Sequence, residues 1–187
     1  EELSAFIHFG VNTFTGVEWG NGRENPNVFH PTGLDTDQWV KALKDAGFER
    51  IIMIGRHHDG FCLWNSDYTT QDVASSTDFQ ATQAARGQSG DVLEELSKSC
   101  TKYDMDMGFY LSPWDANNPT YGYGSCTDEE TDSNGDYNEY YMNQLREVLG
   151  NPKYGNNGKF VEVWMDGAKG SGAAAQHYKF QEWFDLI

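Results

Sequence analysis

The sequence is poor in basic residues, in cysteine and in long apolar runs. Its 13 lysines and arginines are outnumbered by 29 aspartates and glutamates, and the formal net charge of −16 argues against nucleic acid and anionic membrane surfaces as partners. No apolar run approaches the ~18 residues that are needed to cross a bilayer. The three cysteines form no CxxC pair, which argues against a zinc knuckle or a redox motif. We therefore expect a small or neutral partner, with no nucleic acid and no membrane involved.

Aromatic residues, in contrast, are abundant, with 6 Trp, 10 Tyr and 11 Phe. Many of them stand beside Gly, Asn and Asp in loop-like sequence, as at residues 17–20 and 119–124. Such neighbours suit sugars, because sugar C–H faces stack on aromatic rings while the hydroxyls form hydrogen bonds with short polar side chains. Packing under long loops accounts equally well for any single ring.

Apolar periodicity predicts four strands that alternate with four helices. The predicted strands are residues 3–10, 50–54, 107–112 and 160–166, and the predicted helices are residues 35–46, 91–103, 137–149 and 176–187. Residues 65–88 are polar and weakly patterned, so we expect little regular structure there. Strands that alternate with helices, over connections long enough for crossovers, predict a parallel α/β fold.

Polar or aromatic side chains follow the carboxyl end of each predicted strand. They are His8, His57, His58, Trp114, Asp115 and Asp166. A (β/α)8 barrel of the TIM type brings such positions together at one catalytic face. A doubly wound sheet would usually carry a glycine-rich phosphate loop, and none follows the first strand. Four βα units are about half of a barrel, so we expect residues 1–187 to be a partial catalytic barrel domain, truncated at both ends.

Asp166 ends the fourth predicted strand on a polar face that it shares with Glu162 and Trp164. The following residue, Gly167, would let a ligand approach closely, so the carboxylate could act as a nucleophile or a base. The alternative is an ordinary helix-capping or loop aspartate.

His8, His57 and His58 are candidates either for metal ligands or for hydrogen-bonding groups. From an extended backbone, the adjacent pair cannot easily place both rings on one ion, and the H-x-H spacing usual in barrel metallohydrolases is absent. We therefore expect these histidines to bind the hydroxyls of one small polar ligand. A TIM-barrel metallohydrolase that uses all three is the weaker alternative.

Several motifs, in order along nearly the whole chain, resemble the α-L-fucosidases of glycoside hydrolase family 29. They are IHFG at 7–10, EWG at 18–20, HHDGFCLWNS at 57–66, GDV at 90–92, YLSPWD at 110–115 and EVWMDGA at 162–168. HHDGF and W-x-DG are the most specific of these motifs. The CLW-x-S and SPWD forms are more similar to the branch that acts on α-1,3/1,4-linked fucose than to the branch with broad aryl-fucoside activity.

The resemblance implies a retaining exo-α-L-fucosidase without metal or cofactor, in which Asp166 is the catalytic nucleophile. The positions expected to bind the substrate are His8, Glu18, Trp19, His57, His58, Trp64 and Trp114. The substrate would be a fucosylated oligosaccharide or glycoprotein glycan, which suggests an extracellular or periplasmic location. A carbohydrate-binding pseudoenzyme on the same scaffold is the alternative.

A retaining glycosidase also needs a protonated carboxyl group ~5–5.5 Å from its nucleophile. Glu162 lies on the same face as Asp166 but ~6–7 Å deeper along the strand, so we expect it to be a packed, hydrogen-bonded inner residue. The resemblance implies a glutamate on a later segment, beyond Ile187, as the general acid/base. We expect residues 1–187 alone to hydrolyse nothing efficiently.

Overall fold

The computed structural model describes residues 3–122, 137–166 and 176–187. In chain order its elements are β1 (Ser4–Ile7), α1 (Val11–Thr15), α2 (Thr36–Asp45), β2 (Arg50–Arg56), α3 (Thr77–Ala85), α4 (Val92–Tyr103), β3 (Asp106–Leu111), α5 (Tyr137–Leu149), β4 (Glu162–Trp164) and α6 (Phe180–Leu186), with short 3-10 turns at Pro26–Val28 and Val73–Ser75. All four predicted strands and all four predicted helices are present. The short helices α1 and α3 were not predicted.

The expectation of little regular structure over residues 65–88 is wrong, because α3 lies there. This helix buries Phe79 and Gln83 on its inner side. Gln83 is fully buried, although a polar residue gives no apolar signal at its position. The helix therefore lacks the apolar stripe by which amphipathic helices are recognised in a sequence.

The four strands form one parallel sheet in the order β1-β2-β3-β4. Ser4 lies beside Arg50, which in turn lies beside Asp106, and Gly108 lies beside Glu162. The predicted parallel α/β fold is confirmed. Because all four strands point the same way, the residues that follow them lie at one edge of the sheet.

The two faces of the sheet differ in what covers them. Ile51, Met53, Met107 and Phe109 are buried in the main core with residues of the helices, including Leu93 and Leu96 of α4. On the opposite face, Ile52, Ile54 and Tyr110 form a separate small cluster. There the exposed rings of Phe6 and Trp164 meet edge to face, with their centroids 4.9 Å apart. Within the described residues, every helix is too short or too polar to cross a membrane.

Candidate active site

Three histidines meet at the carboxyl edge of the sheet. His8 follows β1, and His57 and His58 follow β2 directly. The ring centroids of His8 and His57 are 4.5 Å apart, and those of His57 and His58 are 4.1 Å apart. The chain leaves extended conformation after Arg56 and makes a turn, in which the Gly60 N–H donates to the His57 carbonyl at 3.0 Å. The turn places both adjacent rings on the same side.

This turn makes one of our expectations wrong. One ligand atom each from His57, His58 and Asp166 lie within 4.8 Å of one another, so two adjacent histidines do reach a common point. The argument from an extended backbone fails because β2 ends at Arg56, before the first of these histidines.

Asp166 lies two residues beyond β4, and its side chain is 42% exposed. The Tyr110 hydroxyl donates a hydrogen bond to its Oδ2 at 2.9 Å, and His58 Nε2 lies 3.5 Å from the same oxygen. Our sequence reasoning missed Tyr110. The sequence feature that could have indicated Tyr110 is the two-residue period of β3, which places Tyr110 and Gly108 on the same face of the sheet as Asp166.

The electrostatics of this edge favour neutral rings at His57 and His58. Burial, together with the nearby His58 and His8 rings, lowers the pKa of His57 to about 3. Burial also lowers the pKa of His58, although Asp166 opposes the shift. A neutral imidazole carries one donor and one acceptor, which suits hydroxyl groups. Burial and Asp166 raise the pKa of Tyr110, so its hydroxyl stays protonated and able to donate.

A pocket of about 310 Å³ lies between the segment after β1 and the end of β2. Its polar lining is His8, Asn12, Thr13, Glu18, His57 and Asp59. This volume is at the lower end of the range for small-molecule sites. The pocket brings together three of the predicted sugar-binding residues, namely His8, Glu18 and His57.

Two exposed or half-buried tryptophans lie beside His58. Trp19 is 55% exposed and contacts Trp114 edge to face, with a centroid distance of 6.0 Å. Trp114 lies 4.8 Å from the His58 ring, and Trp19 lies 5.9 Å from it. These two predicted positions therefore form an aromatic surface next to the nucleophile candidate, which suits the C–H face of a sugar.

The sequence profile described as Alpha-L-fucosidase matches residues 6–185. This chain belongs to the α-L-fucosidase family. Alpha-L-fucosidase 1 of Arabidopsis thaliana is 44% identical over 185 residues, which are 99% of the chain and 32% of that protein. A putative α-L-fucosidase of Oryza sativa is 42% identical over all of the chain and 32% of its own length. The chain thus spans about a third of the length of these curated relatives.

Solved structures of family members agree with the fold. A Ruminococcus gnavus glycoside hydrolase family 29 fucosidase in complex with fucose is 51% identical, with a TM-score of 0.87, over 100% of this chain and 37% of that one. An α-L-fucosidase from Bacteroides thetaiotaomicron, described as a covalent intermediate trapped with 2-fluoro-fucosyl fluoride, is 27% identical, with a TM-score of 0.71, over 92% of this chain and 40% of that one.

Trp64 lies outside the candidate site, so the expectation that it binds the substrate is wrong. Its side chain is fully buried in the main core, edge to face with Phe109 at 5.7 Å. The indole N–H donates to Glu147 Oε2 of α5 at 2.7 Å. The neighbouring Leu63 lines the pocket instead.

Arg56 and Asp115 support the site without facing a ligand. Arg56 is fully buried, pairs with Asp115 Oδ2 at 3.1 Å, and donates to Gln144 Oε1 of α5 at 2.6 Å. The other carboxylate oxygen of Asp115 accepts the N–H groups of the two residues at 117 and 118, at 2.7 and 2.8 Å. Gly60 packs against this carboxylate with φ +81°, and a Cβ there would lie 2.5 Å from Asp115 Oδ1. Asp115, a candidate by its position after β3, is therefore a structural residue.

Two further carboxyl groups complete the site region. Glu162 accepts hydrogen bonds from Arg50 and from the Trp164 indole, as expected of a hydrogen-bonded residue, although its side chain is 28% exposed and not packed. The other is Asp59, to which our sequence reasoning gave no role. Asp59 is 3% exposed, and its carboxyl group accepts hydrogen bonds from the Asn12 side chain at 2.9 Å and from the Phe61 N–H at 2.7 Å. Burial raises the pKa of Asp59 to about 6.

Proposed function

We propose that the full-length protein is a retaining exo-α-L-fucosidase, in which this chain supplies the nucleophile and most of the sugar-binding groups. The observation that carries the proposal is the carboxylate of Asp166, which is partly exposed, hydrogen-bonded by Tyr110, and adjacent to neutral histidines. The fucose complex of the R. gnavus relative and the trapped covalent intermediate of the B. thetaiotaomicron relative support the same chemistry.

In this mechanism Asp166 attacks the anomeric carbon of fucose as the glycosidic C–O bond breaks. A second carboxyl group gives its proton to the departing oxygen, and the product is a fucosyl ester of Asp166. The same group then removes a proton from water, which hydrolyses the ester and releases fucose with its original anomeric configuration. Two inversions at one carbon give net retention.

The general acid/base that we propose lies outside residues 1–187. Glu162 is the nearest alternative along β4, but its two carboxylate oxygens already accept hydrogen bonds from Arg50 and from the Trp164 indole. We propose that this chain forms the first four βα units of a (β/α)8 barrel and that a glutamate on a later strand end supplies the proton.

The substrate that we propose is a glycan with terminal α-1,3- or α-1,4-linked L-fucose, cleaved outside the cytoplasm. Fucose would occupy the pocket at His8 and His57, and the aglycone would lie against Trp19 and Trp114. This arrangement is supported by the position of the two tryptophans, which contact the His58 ring, while His58 Nε2 lies 3.5 Å from Asp166.

The decisive experiment is Asp166→Ala in the full-length protein, assayed with an aryl α-L-fucoside and a Lewis-type oligosaccharide. We expect loss of at least ~10³-fold in kcat, because no nucleophile remains, and partial recovery with azide, which would attack in its place. Glu162→Gln is the matched control and should retain most activity. An unchanged rate in the Asp166 variant would refute the nucleophile assignment, and fucose binding without turnover by the wild type would identify a binding protein.

A metal-dependent hydrolase is the second candidate, because His57, His58 and Asp166 can converge on one ion. It predicts about one equivalent of zinc in the purified protein and activity that is lost with a chelator and restored by added metal. The fucosidase mechanism predicts that dialysis against EDTA leaves kcat unchanged.

A further inference from the structure

Ser112, the first residue after β3, has a buried hydroxyl whose position is fixed by the end of β2. Its side chain is fully buried. Its N–H donates to the Arg56 carbonyl at 3.1 Å, and its carbonyl accepts a hydrogen bond from the Arg56 guanidinium. The backbone of Ser112 is therefore tied to β2 in both directions.

The direction of the Ser112 hydroxyl proton follows from its neighbours. Ser112 Oγ lies 2.8 Å from the Trp114 carbonyl oxygen and 2.6 Å from His58 Nδ1. A carbonyl can only accept, so the hydroxyl donates to Trp114. Its oxygen lone pairs then face His58, and the Nδ1 atom must carry the hydrogen of that 2.6 Å contact.

A neutral imidazole holds one ring proton, so His58 Nε2 is left with a lone pair. This lone pair lies 3.5 Å from Asp166 Oδ2, which is also an acceptor. The nearby Tyr110 hydroxyl already donates to that carboxylate oxygen. Two acceptors thus lie side by side at the point where the proposed function requires a sugar.

We propose that Ser112 is a positioning residue that holds His58 in its Nδ1–H tautomer, so that Nε2 accepts a hydrogen bond from a substrate hydroxyl and leaves Asp166 free to attack. This inference rests on the proposed fucosidase function. In the opposite tautomer, Nε2–H would donate to Asp166. That hydrogen bond would stabilise the free carboxylate, weaken it as a nucleophile, and remove the acceptor for the sugar.

The kinetic experiment compares Ser112→Ala and Ser112→Thr in the full-length protein. Ser112→Ala removes the acceptor of Nδ1–H, and we expect kcat/KM to fall on the order of tenfold to a hundredfold. Ser112→Thr keeps the hydroxyl and should restore activity to within a few fold of the wild type. Ser76→Ala is the matched control, since the Ser76 hydroxyl is also fully buried and donates to a carbonyl, that of Pro26 at 2.6 Å, away from the site.

A second measurement reads the tautomer directly, through the 15N chemical shifts of the ring nitrogens in histidine-labelled protein. We expect a protonated Nδ1 and an unprotonated Nε2 for His58 in the wild type, and a shift toward Nε2–H in Ser112→Ala. A wild-type Nε2–H tautomer would overturn the inference, as would Ser112→Ala activity equal to that of Ser76→Ala. If the wild type cleaves no fucoside, the proposed function fails, while the ring-nitrogen shifts still decide the role of Ser112.

Discussion

Asp59 gives a quantitative test of the electrostatics beside the pocket. The carboxyl group is almost completely buried, and burial raises its pKa from 3.8 to about 6. Asp59→Asn replaces the titrating group by a neutral one of the same shape. The new amide can still accept the Phe61 N–H. If the Asn12 side-chain amide turns over, the new amide can also donate to Asn12 Oδ1. In the wild type this buried oxygen has no hydrogen-bond partner among the described residues.

The expected change follows from proton linkage. Between pH 3.8 and 6 the folded protein keeps a proton on Asp59 that the unfolded chain has released, so this residue lowers stability as the pH rises through that range. A shift of about 2 pH units at ~1.4 kcal/mol per unit corresponds to roughly 3 kcal/mol above pH 6. The Asp59→Asn protein lacks this loss. Its stability relative to the wild type should therefore increase by roughly 3 kcal/mol between pH 3.8 and pH 7.

The assay is thermal or denaturant unfolding of both full-length proteins at several pH values. For a domain of ordinary size, each 1 kcal/mol moves the unfolding midpoint by ~2–4 °C, so the gap between the two proteins should widen by several degrees from acidic to neutral pH. Asp78→Asn, which removes an exposed carboxylate of α3, is the control and should show a constant offset. A constant offset for Asp59→Asn as well would show that the buried carboxyl is ionised throughout, and the reasoning would be refuted.

Four further substitutions separate catalytic, binding and structural roles. Tyr110→Phe removes the hydrogen bond that orients the Asp166 carboxyl group toward a substrate, worth ~1.5–3 kcal/mol, and should lower kcat at least tenfold while the far-ultraviolet circular dichroism stays unchanged. Trp19→Ala should raise KM with little effect on stability. Trp64→Ala should instead cost ~3–5 kcal/mol of unfolding free energy and leave the KM of the folded fraction unchanged. The reverse pattern would show that Trp64 binds the substrate. Glu162→Gln breaks the ion pair with Arg50, so it should lower the midpoint of thermal unfolding while kcat stays within a few fold of the wild type. Loss of all turnover would instead identify Glu162 as the acid/base.

The fold was largely predictable because its signals are local. The apolar runs of β2 and β3 and the periodic stripes of α2, α4 and α5 each mark one element, and their alternation leaves a parallel sheet as the simple arrangement. α3 escaped prediction because one of its two inward positions is Gln83, a polar residue that is buried. A pattern based on hydrophobicity cannot show a buried amide.

The site was predictable only at the level of its strand ends. Residues that follow parallel strands must lie at one edge, and that rule placed His8, His57, His58 and Asp166 together. It could not separate Trp64, which lies in the core, from its neighbour Leu63, which lines the pocket, because that choice depends on the turn after Arg56. The two-residue period of β3 shows on which face of the sheet Tyr110 lies, but the contact of its hydroxyl with Asp166 joins two strands that are remote in sequence and could not be predicted from either strand alone.

The protonation state of His57 and His58 bears on whether Asp166, the proposed nucleophile, can remain free. An imidazolium at His58, 3.5 Å from Asp166, would pair with the carboxylate and compete with its attack on a sugar. Burial lowers the pKa of His58 and of His57, so neither ring carries this charge near neutral pH. Within the described residues, the Tyr110 hydroxyl donates a hydrogen bond to Asp166 and holds its carboxyl group in place. In the proposed mechanism, burial of the HHDG turn therefore contributes to reactivity, because its uncharged rings remain available for uncharged sugar hydroxyls.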